Sequence, residues 1–188
     1  MSFMRQLCCL VMLLMPATSV SARPEEIILL RHAEKPADDR NPSLSPRGLE
    51  RARALPSLLT NSPAFSGHAL PAAVFAPRST THGHGRRAEE TISPLARELH
   101  MPVRTPFAAG DYAKLAKEIL SNRAFDGKTI VICWEHDNLP PLARELGVHK
   151  PPNWSGGTFD RLWVVTWEGD RAGLRELPQH LLSGDSLK

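Results

Sequence analysis

Apolar and polar positions along this chain fall into two kinds of stretch, and the contrast between them predicts its elements. Ile27-Ile28-Leu29-Leu30 and Thr129-Ile130-Val131-Ile132-Cys133-Trp134 are continuous apolar runs of strand length, the pattern of strands covered on both faces of a sheet. Ala72–Ala76 reads as a further strand and Met101–Val103 as a short one. Between them lie stretches of helical composition. Ser45-Pro46 supplies an N-cap and a first helical residue, opening a helix to Leu59. Arg86–Leu99 is a second helix with Pro94 inside it, so a kink or two short pieces are expected, with Ser93 capping the restart. Asp111 caps a third to Leu120, and Leu139–Leu146 is a fourth, stopped at Gly147. Phe159–Trp167 and Gly173–Leu177 read as a hairpin around Glu168-Gly169-Asp170.

Strands separated by helices of this length need parallel crossovers. The expected fold is therefore α/β: a three-layer α/β/α sandwich with a mostly parallel central sheet and a C-terminal β-hairpin. The hairpin adds antiparallel pairing at an edge. Ligands of such sheets bind beyond the carboxyl ends of the strands. Both long apolar runs end in a histidine with charged neighbours, Arg31-His32-Ala33-Glu34 and Glu135-His136-Asp137. Parallel neighbours would bring the two histidines to one polar site at one sheet edge.

The N-terminus has a different composition. Arg5 precedes an apolar run from Leu7 to Met15, followed by Pro16 and the small residues Ala17 to Ala22. This is the pattern of a secretory signal, with cleavage expected after Ala22 and a mature domain over residues 23–188. The apolar run falls short of the ~20 residues that a membrane span needs, so no stable span is expected after cleavage; an uncleaved anchor is the rival. Cys8 and Cys9 open that run rather than close it and read as apolar filler. Export across an inner membrane, to a periplasm, follows as the expectation. The net charge of +3, lower by one without Arg5, is too weak to argue for nucleic acid. Cys133 is the only cysteine after the signal, so no intrachain disulfide forms, and its apolar company makes it a core residue.

Several residues outside the two strand ends add to the chemistry. Gly48 falls in a first helical turn, where a missing side chain permits close backbone approach. Arg87 sits at a helix start, against the preference of the macrodipole for anions there. A bound anion explains it better, because the helix terminus and the guanidinium would both favour one. His82-Gly83-His84 has no third ligand nearby and reads as a solvent-facing loop rather than a metal site. Trp154-Ser155-Gly156-Gly157 is a loop anchor or a cap on the pocket, and Trp163 and Trp167 are core or sheet-face residues.

Leu30 to Glu34, Leu44-Ser45 through Gly48, Arg87-Ala88 through Thr91, and His136 together resemble the histidine phosphatase superfamily, which includes phosphoglycerate mutases and acid phosphatases. The resemblance spans nearly all of residues 23–188. It departs from the family pattern at two places. Ala33 stands where the first motif usually has glycine, and Asp137-Asn138-Leu139 replaces the Gly-Gly that usually follows the second histidine. The latter is closer to the His-Asp motif of the acid phosphatase and phytase branch, although this chain is too short for that branch's extra helical domain.

The resemblance implies a phosphohistidine mechanism in which His32 attacks phosphorus and water then hydrolyses the intermediate. Arg31, Arg87 and His136 would surround the phosphoryl oxygens, with Gly48 carried over as a substrate-side position and no metal or other cofactor. Arg86, adjacent to Arg87, and Arg78, past the end of a strand, are rivals for the second clamp. Asp137 is the favoured general acid. Glu135 competes with it, but neighbours on an extended segment point opposite ways, so both facing the site is not expected. Asp111 is a third candidate, and the plain role for Asp137 is an N-cap. The expected activity is hydrolysis of a phosphomonoester, either a small phosphorylated substrate or a phosphorylated envelope component. Short connections leave an open pocket, which favours a compact phosphatase over a mutase. A non-catalytic phosphate-binding module of the same fold is the reading from another class.

Overall fold

The computed structural model describes residues 22–186 apart from 39, 62–64, 66 and 82. The expected signal, up to residue 21, and His82 therefore lie outside the described residues. The elements run β1 (Glu26–Arg31), α1 (Pro46–Asn61), β2 (Ala73–Phe75), α2 (Arg86–Glu98), β3 (Val103–Arg104), α3 (Tyr112–Ser121), β4 (Thr129–Trp134), α4 (Leu139–Glu145), β5 (Arg161–Glu168) and β6 (Arg171–Pro178). One sheet has the order β3-β2-β4-β1-β5-β6. β4 is parallel to both β1 and β2, and β2 is parallel to β3. The β5–β6 hairpin adds antiparallel pairing outside β1, as expected.

The apolar runs become the central strands because both of their faces are covered. Ile28 and Leu30 of β1 and Val131 and Cys133 of β4 meet Leu55, Leu58, Ile92 and Leu95 from α1 and α2. Their alternates, Ile27, Leu29, Ile130, Ile132 and Trp134, meet Leu115, Ile119, Leu139 and Leu142 from α3 and α4. This gives three layers, with two separate apolar cores held apart by the sheet.

Two local expectations are met only in part. Of the kink or two short pieces expected at Pro94, the two pieces do not form, since α2 is one helix from Arg86 to Glu98. Ile92, Leu95 and Ala96 are buried on both sides of the proline, and that packing holds the turn. Ser93 Oγ donates to the Glu89 carbonyl at 2.6 Å instead of capping a restart. Asp111 stands at the N-cap position of α3, as expected, but it ends a 3₁₀ turn, Ala109–Asp111, and its side chain makes no cap bond.

Candidate active site

The register of β1 against β4 creates the site. Arg31 lies opposite Trp134, and the His32 N–H donates to the Trp134 carbonyl at 3.0 Å. The segments that follow each strand therefore leave the sheet side by side. They line a pocket of about 320 Å³ whose walls include Arg31, His32, Lys35, Arg40, His84, Gly85, Arg87, Glu135, His136 and Asp137.

His32 is 7 % exposed. Its Nδ1 lies 2.8 Å from the Ala33 carbonyl oxygen. A carbonyl can only accept, so Nδ1 carries the proton and Nε2 keeps its lone pair. Burial, then the Arg31 and Arg87 guanidiniums and His136, push the ring pKa down to about 4, against the opposing effect of the Ala33 bond. The ring is neutral near pH 7. A neutral imidazole with its lone pair on Nε2 is the form that can attack phosphorus.

Arg31 is 2 % exposed. Its Nη1 donates to the carbonyls of Gly156 and Thr158, and its guanidinium stacks 4.0 Å above the Phe159 ring. Its Nε is buried without a protein partner. Burial, then Arg87, lowers its pKa to about 10 against the pull of Asp137, which leaves it cationic at neutral pH.

Arg87 opens the second wall. Its Nη2 donates to the Asn41 carbonyl at 2.6 Å and its Nε to the Ser43 carbonyl at 3.4 Å. The N-cap of α2 is Gly85, with φ 86° and no side chain to cap the helix. A Cβ at Gly85 would meet the Pro77 and Arg78 carbonyls at 2.9 Å, so glycine is required there. Thus the uncapped helix start and its arginine share the pocket with His32. The rivals lie elsewhere: Arg86 pairs with Glu90 at 2.8 Å, and exposed Arg78 donates to the Pro106 carbonyl at 3.2 Å. Neither lines the pocket.

Behind His32 the loop is tied on several sides. The Ala33 N–H donates to Thr91 Oγ1 at 2.8 Å, and the Ser45 N–H donates to the Glu34 carbonyl at 2.9 Å. Arg51, 3 % exposed, grips the Glu34 carboxylate through Nε and Nη2 and also reaches Asp185 at 2.7 Å and Gln179 at 3.2 Å. Burial opposes the charge on Asp185, but the Arg51 bonds prevail and hold its pKa at about 2. Gly48 is not a pocket residue. Its hydrogen faces the Glu34 backbone, where a Cβ would lie 2.3 Å from the carbonyl oxygen. Its N–H donates to Ser45 Oγ at 3.0 Å, the N-cap bond expected of Ser45. Glycine at this position serves packing of α1 against the loop.

At the end of β4 the extended backbone stops at Glu135, and His136–Asn138 winds into a 3₁₀ turn that leads into α4. Glu135 and Asp137 both line the pocket, with His136 between them, so the expectation that only one of them faces the site fails: they are two residues apart, and such positions share a side even on an extended segment. His136 Nε2 lies 3.2 Å from Asp137 Oδ1, and the Asp137 carboxylate is 84 % exposed. Burial, then Arg31, lowers the His136 pKa against the pull of Asp137. The α4 N-cap is Asn138, without a side-chain cap bond, so Asp137 is not held in that plain role. Asp111 is outside the pocket and bonded to Lys114 at 2.8 Å.

Lys35, Arg40, Arg51, Thr91 and Phe159 are site components that the sequence reading assigned no role. Arg51 sits among polar helix residues like a solvated cation, and only the return of the C-terminal segment buries it. Phe159 has no local signal at all. Among the described residues, no group of three or more His, Cys, Asp or Glu is placed to hold a metal ion, and no helix is long and apolar enough to cross a membrane.

No protein-family model and no curated protein matches the chain. Solved structures do. The protein histidine phosphatase SixA, complexed with tungstate, superimposes with TM-score 0.54 at 12 % identity, covering 82 % of this chain and 97 % of that one. A candidate alpha-ribazole-5'-P phosphatase from Escherichia coli K-12 gives 0.53 at 15 % identity, covering 86 % and 99 %. A candidate phosphohistidine phosphatase SixA from Agrobacterium tumefaciens gives 0.50 at 18 % identity, covering 82 % and 98 %. The chain has the phosphoglycerate mutase-like fold of the histidine phosphatases.

Proposed function

We propose that this protein is an exported phosphatase of the histidine phosphatase type that hydrolyses phosphomonoesters through a phosphohistidine on His32, without a metal. The observation that carries the reading is the His32 ring: neutral, buried, its Nδ1 proton held by the Ala33 carbonyl and its Nε2 left as the lone pair among Arg31, Arg87 and His136. Nε2 forms the bond to phosphorus as the ester P–O bond breaks. The departing alkoxide takes a proton from Asp137, which stands beside His136 at the open rim. Water then attacks the phosphohistidine, giving its proton to the same carboxylate and releasing phosphate and the neutral imidazole. The guanidiniums and the α2 N-terminus offset the charge that develops on the equatorial oxygens, the work a metal does elsewhere. The signal-like N-terminus supports export, and the structures of similar fold support the phosphatase class.

Hydrolysis of p-nitrophenyl phosphate by the purified protein in EDTA, beside His32→Ala, tests this. Turnover that disappears in the variant is the expected result. Equal turnover in both would place the chemistry elsewhere. A folded wild-type protein that binds phosphate but turns nothing over would favour the binding-module reading. Activity abolished by EDTA and restored by one divalent ion would reverse the metal-free mechanism.

A further inference from the structure

We infer that Thr91 is a positioning residue that locks the nucleophile to the helix carrying Arg87 through one continuous line of hydrogen bonds. The line starts at the Arg87 carbonyl in the first turn of α2, which accepts from the Thr91 hydroxyl at 2.7 Å. The Thr91 hydroxyl oxygen in turn accepts the Ala33 N–H at 2.8 Å. The Ala33 carbonyl then accepts Nδ1–H of His32 at 2.8 Å. Thr91 is 1 % exposed, so water does not compete for its hydroxyl. The inference rests on His32 being the nucleophile and extends that reading to a residue that touches neither phosphate nor leaving group.

A helical threonine that bonds back to the carbonyl four residues earlier is common and needs no function. The second bond is what sets Thr91 apart, because its donor is the residue after the nucleophile, on a different element. One side chain thus joins α2 to the end of β1. Removing the hydroxyl orphans a buried N–H. Ala33 then turns to find another partner, and its carbonyl turns away from His32 with it. The consequence is chemical. A free imidazole side chain favours its proton on Nε2, the nitrogen that must be bare for attack, and the Ala33 carbonyl is what reverses that preference.

The test uses the full chain with ¹⁵N-labelled histidine, as wild type, Thr91→Val and Thr91→Ser. Long-range ¹H–¹⁵N spectra report which ring nitrogen is protonated, and His32→Gln identifies the His32 signals. The expected result is the Nδ1–H form in wild type, admixture of the Nε2–H form in Thr91→Val, and return to Nδ1–H in Thr91→Ser. With p-nitrophenyl phosphate, kcat of Thr91→Val falls by about 10- to 100-fold with KM little changed, and Thr91→Ser recovers most of it. A Thr91→Val protein that keeps the wild-type tautomer and kcat overturns the inference, however far its melting temperature drops. If Thr91→Val does not fold, Thr91→Ala is read by the same two measurements. Absence of His32-dependent turnover in wild type would defeat the phosphatase reading, while the tautomer spectra would still decide whether Thr91 sets the ring.

Discussion

His32 and His136 follow parallel neighbouring strands and face one pocket, yet the protein treats them differently. His32 is 7 % exposed, with its Nδ1 bonded to a main-chain carbonyl and its loop pinned by Thr91, Ser45 and Arg51. His136 has a side chain 27 % exposed, sits on a 3₁₀ turn, and is paired with a carboxylate that is itself solvent-facing. The first is built to hold one tautomer in one orientation. The second lines the same pocket on its solvent-facing side. Rigidity on one side and access on the other is the division of labour expected of a nucleophile and a rim group.

Removing each histidine in turn is the strongest way to break that comparison. His32→Ala is expected to lower kcat on p-nitrophenyl phosphate by on the order of 10⁵-fold, because the covalent route is lost. His136→Ala and Arg87→Gln are expected to cost about 10²- to 10³-fold each, the range for one charge-stabilising donor. Equal losses for the two histidines would mean that the rim is as essential to the chemistry as the pinned ring.

The rim carboxylates sharpen the contrast further. Asp137→Asn is expected to slow an alkyl phosphate by about 10²-fold while sparing nitrophenyl phosphate, whose leaving group needs little protonation. Glu135→Gln is the control. The same selective loss in Glu135→Gln, and none in Asp137→Asn, would move the acid role to Glu135.

On the rigid side, Gly48→Ala is expected to destabilise the protein by about 1–3 kcal/mol, read as a lower melting temperature. The added Cβ meets the Glu34 carbonyl, a backbone atom that cannot swing aside. An unchanged melting temperature would show that the loop behind His32 yields.

The last effect is a pH dependence. The folded pKa of His32, about 4, lies below its ordinary 6.5. The unfolded chain therefore takes up this proton first as pH falls. The stability that neutral His32 contributes is complete above pH 6.5 and is lost between pH 6.5 and 4, an amount of about 3 kcal/mol. NMR titration should place the His32 midpoint near 4, and His32→Gln should flatten the acid decline in stability. A midpoint at the ordinary histidine value would mean that the ring is more hydrated than its burial implies.

The residue that departs from the family's first motif is also explained on the rigid side. Ala33 is fully buried against Leu44 and Ala52, so its methyl fills space between the loop and α1. Glycine would be the smaller occupant of the same place. The other departure, Asp137-Asn138-Leu139, coincides with the 3₁₀ turn that brings Glu135, His136 and Asp137 to the pocket together. The expected opposition of Glu135 and Asp137 failed because they are two residues apart, not adjacent, and residues i and i+2 share a face even in extended backbone. Apolar periodicity ends at Trp134, and nothing in three polar residues distinguishes an extended exit from a tight turn.

What the sequence determined by itself was the layered architecture and the meeting of two histidines, because uninterrupted apolar runs report strands buried on both faces and the C-terminal ends of parallel strands share an edge. It also marked Arg87, since a cation at a helix start asks for an anion. The tertiary structure alone decided which arginine shares the pocket, excluding Arg78 and Arg86, and removed Asp111 from the site. It alone buried Arg51 between Glu34 and Asp185, residues separated in sequence by most of the domain. Local pattern reports which face of an element is apolar. Which polar side chains converge depends on strand order and on where distant loops return, and that information exists only once the chain has folded.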